Sequence, residues 1–131
     1  MIPKFNIIVP TFNSEKYIEK CIDSINEQTF NNWKLTIVDN HSSDDTVKII
    51  KKKIDPKKLE ILFIDNNGII AKSRNLGIKK SQSEWVALLD SDDSWHKDKL
   101  LYCNKVLDEN VDVVYHDVEI LKQGRKNKLI K

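Results

Sequence analysis

A chain of 131 residues, 40% of them hydrophobic and 32% charged, has room for one folded domain with a modest core and is too apolar to be disordered. Its net charge of +2 is too small for a nucleic-acid binder that works through bulk charge. Cys21 and Cys103 form neither a metal spacing nor a disulfide framework, so both read as small apolar residues in a reducing compartment.

In chain order, Phe5 to Val9 is a short apolar run ended by Pro10 and predicts a buried strand. The same run is too short for a signal peptide, and no stretch reaches the roughly 20 apolar residues that span a bilayer, so a cytoplasmic location is expected. Ser14 is placed to cap a helix whose apolar stripe is Tyr17, Ile18, Cys21, Ile22 and Ile25. Trp33 to Val38 predicts a second strand. Ser43 is placed to cap a second helix carrying Val47, Ile50 and Ile54, with Pro56 past its end. Leu59 to Ile64 predicts a third strand, Ile70 to Lys80 a third helix and Trp85 to Leu89 a fourth strand. A fourth helix near Lys97 carries Leu100, Leu101, Val106 and Leu107. Val111 to Tyr115 predicts a fifth strand and Val118 to Leu121 a sixth. The late cluster Lys122, Arg125, Lys126, Lys128 and Lys131 reads as a solvated basic tail, with anionic lipid or phosphate as its other use. The expected organisation is therefore one domain over residues 1–121 and a tail, or the start of a further half, over 122–131.

Alternation of near-continuous apolar strands with helices implies an α/β fold: an open, mostly parallel sheet covered by helices on both faces. Right-handed crossovers gather the strands' carboxyl ends on one edge, where ligands of such sheets bind. The four loops at that edge are chemically rich. They read Pro10-Thr11-Phe12-Asn13, Asp39-Asn40-His41-Ser42-Ser43, Asp65-Asn66-Asn67-Gly68 leading to Lys72 and Arg74, and Asp90-Ser91-Asp92-Asp93.

Three carboxylates over four positions repel one another, and a divalent cation removes that repulsion. Asp90 and Asp92 form an all-oxygen pair suited to Mg²⁺ or Mn²⁺, with Asp93 adjusting the site. Lys72 and Arg74 add positive charge, Arg74 as a fork for phosphate. Asp39 suits the N–H of a base or a ribose hydroxyl, and Phe12 offers a stacking face. The sum resembles a pocket for a nucleoside diphosphate bound through a metal. Plainer readings exist for several members. Asp39 and Asn40, or Asp65 and Asn66, also suit turns, Ser42 and Ser43 suit helix caps, and Phe12 suits a core. Trp85 and Trp95 suit packing around the acidic loop. His41, His96 and His116 show no partner pattern and read as structural.

On these residues the chain resembles the N-terminal part of family 2 glycosyltransferases of the GT-A fold. The resemblance rests on Ile8-Val9-Pro10-Thr11-Phe12-Asn13, Ile37-Val38-Asp39-Asn40 with Ser42-Ser43-Asp44-Asp45-Thr46, Asn67-Gly68 with Ser73-Arg74-Asn75-Leu76-Gly77, and Leu89-Asp90-Ser91-Asp92-Asp93-Ser94-Trp95. It implies inverting transfer of a sugar from a nucleotide donor, a UDP-sugar first, to a glycan, lipid-linked or protein acceptor in polysaccharide or glycoconjugate synthesis. It implies that Pro10, Thr11, Phe12, Asn13, Asp39, Asn67, Lys72, Arg74, Asp90 and Ser91 line the donor site, with Asp39 at the base. It assigns Asp92, with Asp90 and Asp93, to Mn²⁺ or Mg²⁺. It also implies a catalytic base beyond Lys131, so that this chain is the donor-binding half and turns over poorly alone, and it allows peripheral association with the inner face of the membrane.

The loop before Arg74 departs from the family pattern in its glycine spacing and in Ser73. Other chemistries fit less well. A nucleotidyltransferase wants a glycine-rich or basic phosphate loop after the first strand, a nicotinamide dehydrogenase wants Gly-x-Gly-x-x-Gly there, and a phosphoacceptor receiver wants an acidic pair there. Pro10-Thr11-Phe12-Asn13 supplies none of these. A non-catalytic nucleotide-sugar-binding module uses the same motifs and remains the alternative.

Overall fold

The computed structural model describes residues 1–121 and 128–130. They fall in two compact units, Met1–Leu101 and Tyr102–Lys131. The basic residues Lys122, Arg125, Lys126 and Lys131 lie outside the described residues.

The first unit is built on a four-stranded parallel sheet of β1 (Phe5–Thr11), β2 (Trp33–Asp39), β3 (Leu59–Phe63) and β4 (Trp85–Leu88), in the order β3-β2-β1-β4. The helices are α1 (Ile18–Asn26), α2 (Thr46–Lys53), α3 (Ile70–Lys80) and α4 (Lys99–Val106). The chain steps outward from β1 to β3 and then returns past β1 to β4. Right-handed crossovers therefore put α1 and α2 on one face and α3 on the other. The reversal between β1 and β4 makes the crevice at their carboxyl ends the topological switch point.

β1 and β2 are the interior strands, and Ile7, Ile8, Val9, Leu35, Ile37 and Val38 are all fully buried. β4 differs from the expectation of cover on both faces, because Val86 and Leu88 are exposed. It is an edge strand, and α3 packs over β1 and β2 instead. Gly77 permits that packing: a Cβ there would lie 2.6 Å from Ile8 Cγ2.

β1 runs through Pro10 to Thr11 instead of ending at Val9. Ile8 turns its carbonyl toward β4, where Leu89 N–H donates to it, and Thr11 turns its carbonyl toward β2, where Asn40 N–H donates. By alternation Pro10 faces the β4 side, beyond the last β1–β4 pair Ile8↔Leu88, so its missing N–H costs no ladder bond.

The expected caps also shift. Ser14 starts the turn into α1 with its carbonyl, which accepts from the N–H groups of Tyr17 and Ile18, and Tyr17 is exposed instead of joining the apolar stripe. At α2 the Asp44 carboxylate, not the Ser43 hydroxyl, accepts from Thr46 N–H (3.0 Å).

In the second unit, Val111 to Tyr115 forms no strand. Its Val113 and Tyr115 are strongly exposed, and apolar alternation without a strand to pair with does not make a sheet. The strand expected near Val118 does form, as β5 (Val118–Ile120), pairing antiparallel with β6 (Lys128–Ile130). Lys128, assigned to the tail from sequence, opens β6. Among the described residues no helix is long and apolar enough to cross a membrane.

Candidate functional site

The end of β2 is built around Asp39, which is fully buried. Thr11 stands opposite it in the β1–β2 register, and the Thr11 hydroxyl donates to Asp39 Oδ1 at 2.6 Å. The Ser42 hydroxyl donates to the same oxygen at 2.7 Å, and Ser42 N–H donates to Oδ2 at 2.7 Å. Asn13 then ties the two loops together. Its N–H donates to Ser42 Oγ (2.9 Å) and its Oδ1 accepts from Ser43 N–H (2.8 Å). These bonds hold Asn13 and His41 in left-handed backbone, at φ 46° and 53°. Thr11, Asn13 and Asp39, all expected at the site, are thus drawn together as a satisfied polar knot. Phe12 projects from it, exposed, and is not core.

At the end of β3 the knot continues through Asn40, whose Oδ1 accepts from Asn66 N–H (3.0 Å). Asn66 is buried; its amide donates to Ser73 Oγ (2.9 Å) and its Oδ1 accepts from Gly68 N–H (2.9 Å). Ser73, the departure noted in the sequence, is therefore a fully buried clasp on this loop. Asn67 and Gly68 adopt positive φ, which turns the chain into α3. Lys72 is exposed on the first turn of α3, while Arg74 is half-buried and points across to β4.

The β4 end carries the acidic loop. Arg74 Nη2 lies 2.6 Å from Asp90 Oδ1, an ion pair that orients both groups. Asp93 N–H donates to the Asp90 carbonyl (3.1 Å), closing the turn. Burial and the neighbouring Asp92 and Asp90 carboxylates push the Asp93 carboxyl above its ordinary value. Asp92 and Asp93 are exposed.

The loop is held from below by α1 and the residues that flank it. Ser14 Oγ and Ser91 Oγ are 2.9 Å apart, Trp95 N–H donates to Ser24 Oγ (3.1 Å), and Gln28 donates to the His96 carbonyl (2.8 Å) while accepting from Leu100 N–H (3.0 Å). Sequence reading missed Ser24 and Gln28. A serine on the apolar stripe of α1 and a glutamine just past its end were the available signal. Cys21 also faces this loop, and burial followed by the charges of Asp93, Asp92 and Asp90 pushes its thiol up to about 12. It stays protonated and unreactive.

Among the described residues no group of three or more His, Cys, Asp or Glu side chains is gathered as a metal cage. A cage is not what the chemistry needs: Mg²⁺-type sites use one or two carboxylates and complete the shell with water and substrate phosphates. Asp90 and Asp92 are a fitting pair of hard oxygen donors, and after burial their charges are what raises the Asp93 carboxyl beside them. The arrangement thus offers hard anionic oxygens and a guanidinium side by side, at the switch point of the sheet.

The family model for glycosyl transferase family 2 matches residues 6–128. The poly(ribitol-phosphate) beta-N-acetylglucosaminyltransferase TarS of Staphylococcus aureus is 34% identical over 127 residues, which cover 95% of this chain and 22% of TarS. The crystal structure of TarS 1–349 in complex with UDP-GlcNAc matches with a TM-score of 0.73 and 35% identity, over 78% of this chain and 30% of that one. The mannosyltransferase PcManGT from Pyrobaculum calidifontis, solved with GDP-Man and Mn²⁺, matches with a TM-score of 0.74 and 26% identity, over 85% of this chain and 34% of that one. The chain spans less than half the length of each of these relatives. With its GT-A sheet order and its strand-end motifs, the chain belongs to glycosyl transferase family 2.

Proposed function

We propose that this chain is the donor-binding part of a glycosyltransferase that moves a sugar from a nucleoside-diphosphate sugar, a UDP-sugar first, to an acceptor hydroxyl with inversion, in polysaccharide or glycoconjugate synthesis. The observation that carries this reading is the Arg74–Asp90 pair at 2.6 Å beside Asp92, at the β1–β4 switch point. It supplies what a metal-bound diphosphate needs: fixed carboxylate oxygens for a cation and a fixed guanidinium for phosphate oxygens.

Asp92 and Asp90 would hold Mn²⁺ or Mg²⁺, with Asp93 at the margin. Such a cation would stabilise the charge that develops on the departing diphosphate. The chain's own residues do the positioning. Arg74 and Lys72 attract the diphosphate, Arg74 already aimed by Asp90. Ser91, tied to Ser14, fixes the donor-sugar side. Pro10, Phe12, Asn13 and Asn67 border the nucleoside side, where Thr11 and Asp39 set the loop geometry from beneath. Association with the inner face of a membrane fits lipid-linked acceptors.

The test is calorimetric titration of UDP into this chain with and without Mn²⁺, alongside Asp92→Ala. The expected result is metal-dependent binding that the variant loses. Equal binding with and without Mn²⁺ in both proteins would remove the metal from the reading. No binding of UDP, GDP or dTDP would remove the donor site.

A further inference from the structure

Asp39, the residue that family resemblance places at the base, has both carboxylate oxygens engaged by Thr11 and Ser42 and no exposed surface. What lies open beside it is aromatic. Phe63 pairs with Asp39 in the β2–β3 register, so the two side chains leave the same face of the sheet, one strand spacing of about 4.8 Å apart. Phe63 is 53% exposed, although it sits in a sheet strand. Its ring is stacked on His41, with centroids 5.9 Å apart and planes 17° from parallel. His41 sits two residues past Asp39 with φ 53°, in the left-handed region that few non-glycine residues occupy. The Ser42 bonds to Asp39 pin the turn that carries it. The sequence therefore puts an imidazole on a strained, fixed turn and sets it near-parallel to an exposed phenyl ring, offset from it, at the carboxyl edge of the sheet.

We propose that the His41–Phe63 stack is the wall against which the nucleotide base lies. The proposal rests on the donor-site reading above and names the residues that would hold the base. A nucleobase presents a flat, weakly hydrated face that stacks on aromatic rings whatever its identity. The pair is suited to that face because its rings are already parallel and its turn is already ordered, so little freedom is lost on binding. The wall gives affinity for the base as a class, while the choice among bases falls to groups at the base edge. His41, structural by sequence pattern alone, becomes a binding residue through its contact with Phe63.

The test compares UDP with inorganic pyrophosphate as probes, each in the presence of Mn²⁺, on the wild-type chain and on His41→Gly, Phe63→Ala and Phe63→Tyr. Glycine is the residue best suited to the His41 backbone, so that variant removes the ring without endangering the fold, and thermal melts verify folding of all three. His41→Gly and Phe63→Ala are expected to weaken UDP binding roughly five- to hundredfold, the range of one lost stacking contact, and to leave pyrophosphate binding unchanged. Phe63→Tyr is expected to bind UDP as the wild type does. UDP binding by the wild type that both ring deletions leave unchanged overturns the wall and leaves the donor site standing. Parallel loss of UDP and pyrophosphate overturns it as well, since the defect is then not in the base. A wild-type chain that binds no nucleoside diphosphate overturns the donor-site reading and the wall together.

Discussion

The strands β2 and β4 both end in aspartate, and the two ends are opposites. At β2 the Asp39 carboxylate is buried and accepts three hydrogen bonds from its own chain. At β4 Asp90 pairs with Arg74, while Asp92 and Asp93 are exposed side chains and partial burial with the neighbouring charges pushes the Asp93 carboxyl up. The same residue type is therefore structural framework at one end and stored charge at the other. Burial with donors makes a carboxylate part of the fold, whereas carboxylates crowded at an open loop repel one another.

Removing each carboxylate breaks the comparison most directly. Asp39→Ala leaves the Thr11 hydroxyl and both Ser42 donors without their acceptor, and is expected to cost about 2–4 kcal/mol in urea denaturation. Asp92→Ala touches no such network and should stay within roughly 0.5 kcal/mol of the wild type. Equal losses would mean that the two ends are alike.

A smaller effect is expected at Gly77, which sets how closely α3 approaches β1 and so how far Arg74 reaches. Gly77→Ala places a Cβ 2.6 Å from the buried Ile8 Cγ2 and should cost about 1–3 kcal/mol through overpacking. If α3 shifts to relieve that clash, weaker UDP binding should accompany the lower melting temperature.

The smallest effect sharpens the contrast through pH. Partial burial raises the Asp44 carboxyl, but hydrogen bonds from the Thr46 hydroxyl, Thr46 N–H and Glu15 N–H outweigh it and hold the group below 3.8. Its stabilisation is present above the unfolded-state pKa and fades as pH falls through the lower folded-state value. Asp93 has the opposite sign. Its raised carboxyl is a penalty at neutral pH, and that penalty disappears as pH falls through the folded-state value toward and below 3.8. Asp44→Asn should therefore melt below the wild type at neutral pH, Asp93→Asn slightly above it, and both differences should shrink below about pH 4. Differences of the same sign would refute the distinction.

Much of the framework was legible in the sequence because its signals are local. Apolar runs of strand length gave β1 to β4 within one or two residues, and the third helix fell at Ile70–Lys80 as expected. The misplaced cap of α2 was a one-residue competition: Asp44 and Ser43 both suit a helix start, and only the bond to Thr46 decides between them. The fifth strand failed for a different reason. Val111 to Tyr115 has the right residues, but a strand is a pairing, and no partner is recorded in its own letters.

By itself the sequence determined the alternation of strands and helices, the edge at which the polar loops gather, and the family, since strand-end motifs in a fixed order carry all three. Tertiary structure alone decided which aspartate is framework and which is available. Thr11 and Ser42 reach Asp39 only after β1 and β2 pair in register, and Arg74 reaches Asp90 only after α3 crosses the sheet. It also decided that Ser24 of α1 and Gln28 just past its end hold the acidic loop, and that His41 meets Phe63. Burial and partnership are properties of neighbours far apart in the chain. Composition and periodicity record only neighbours along it.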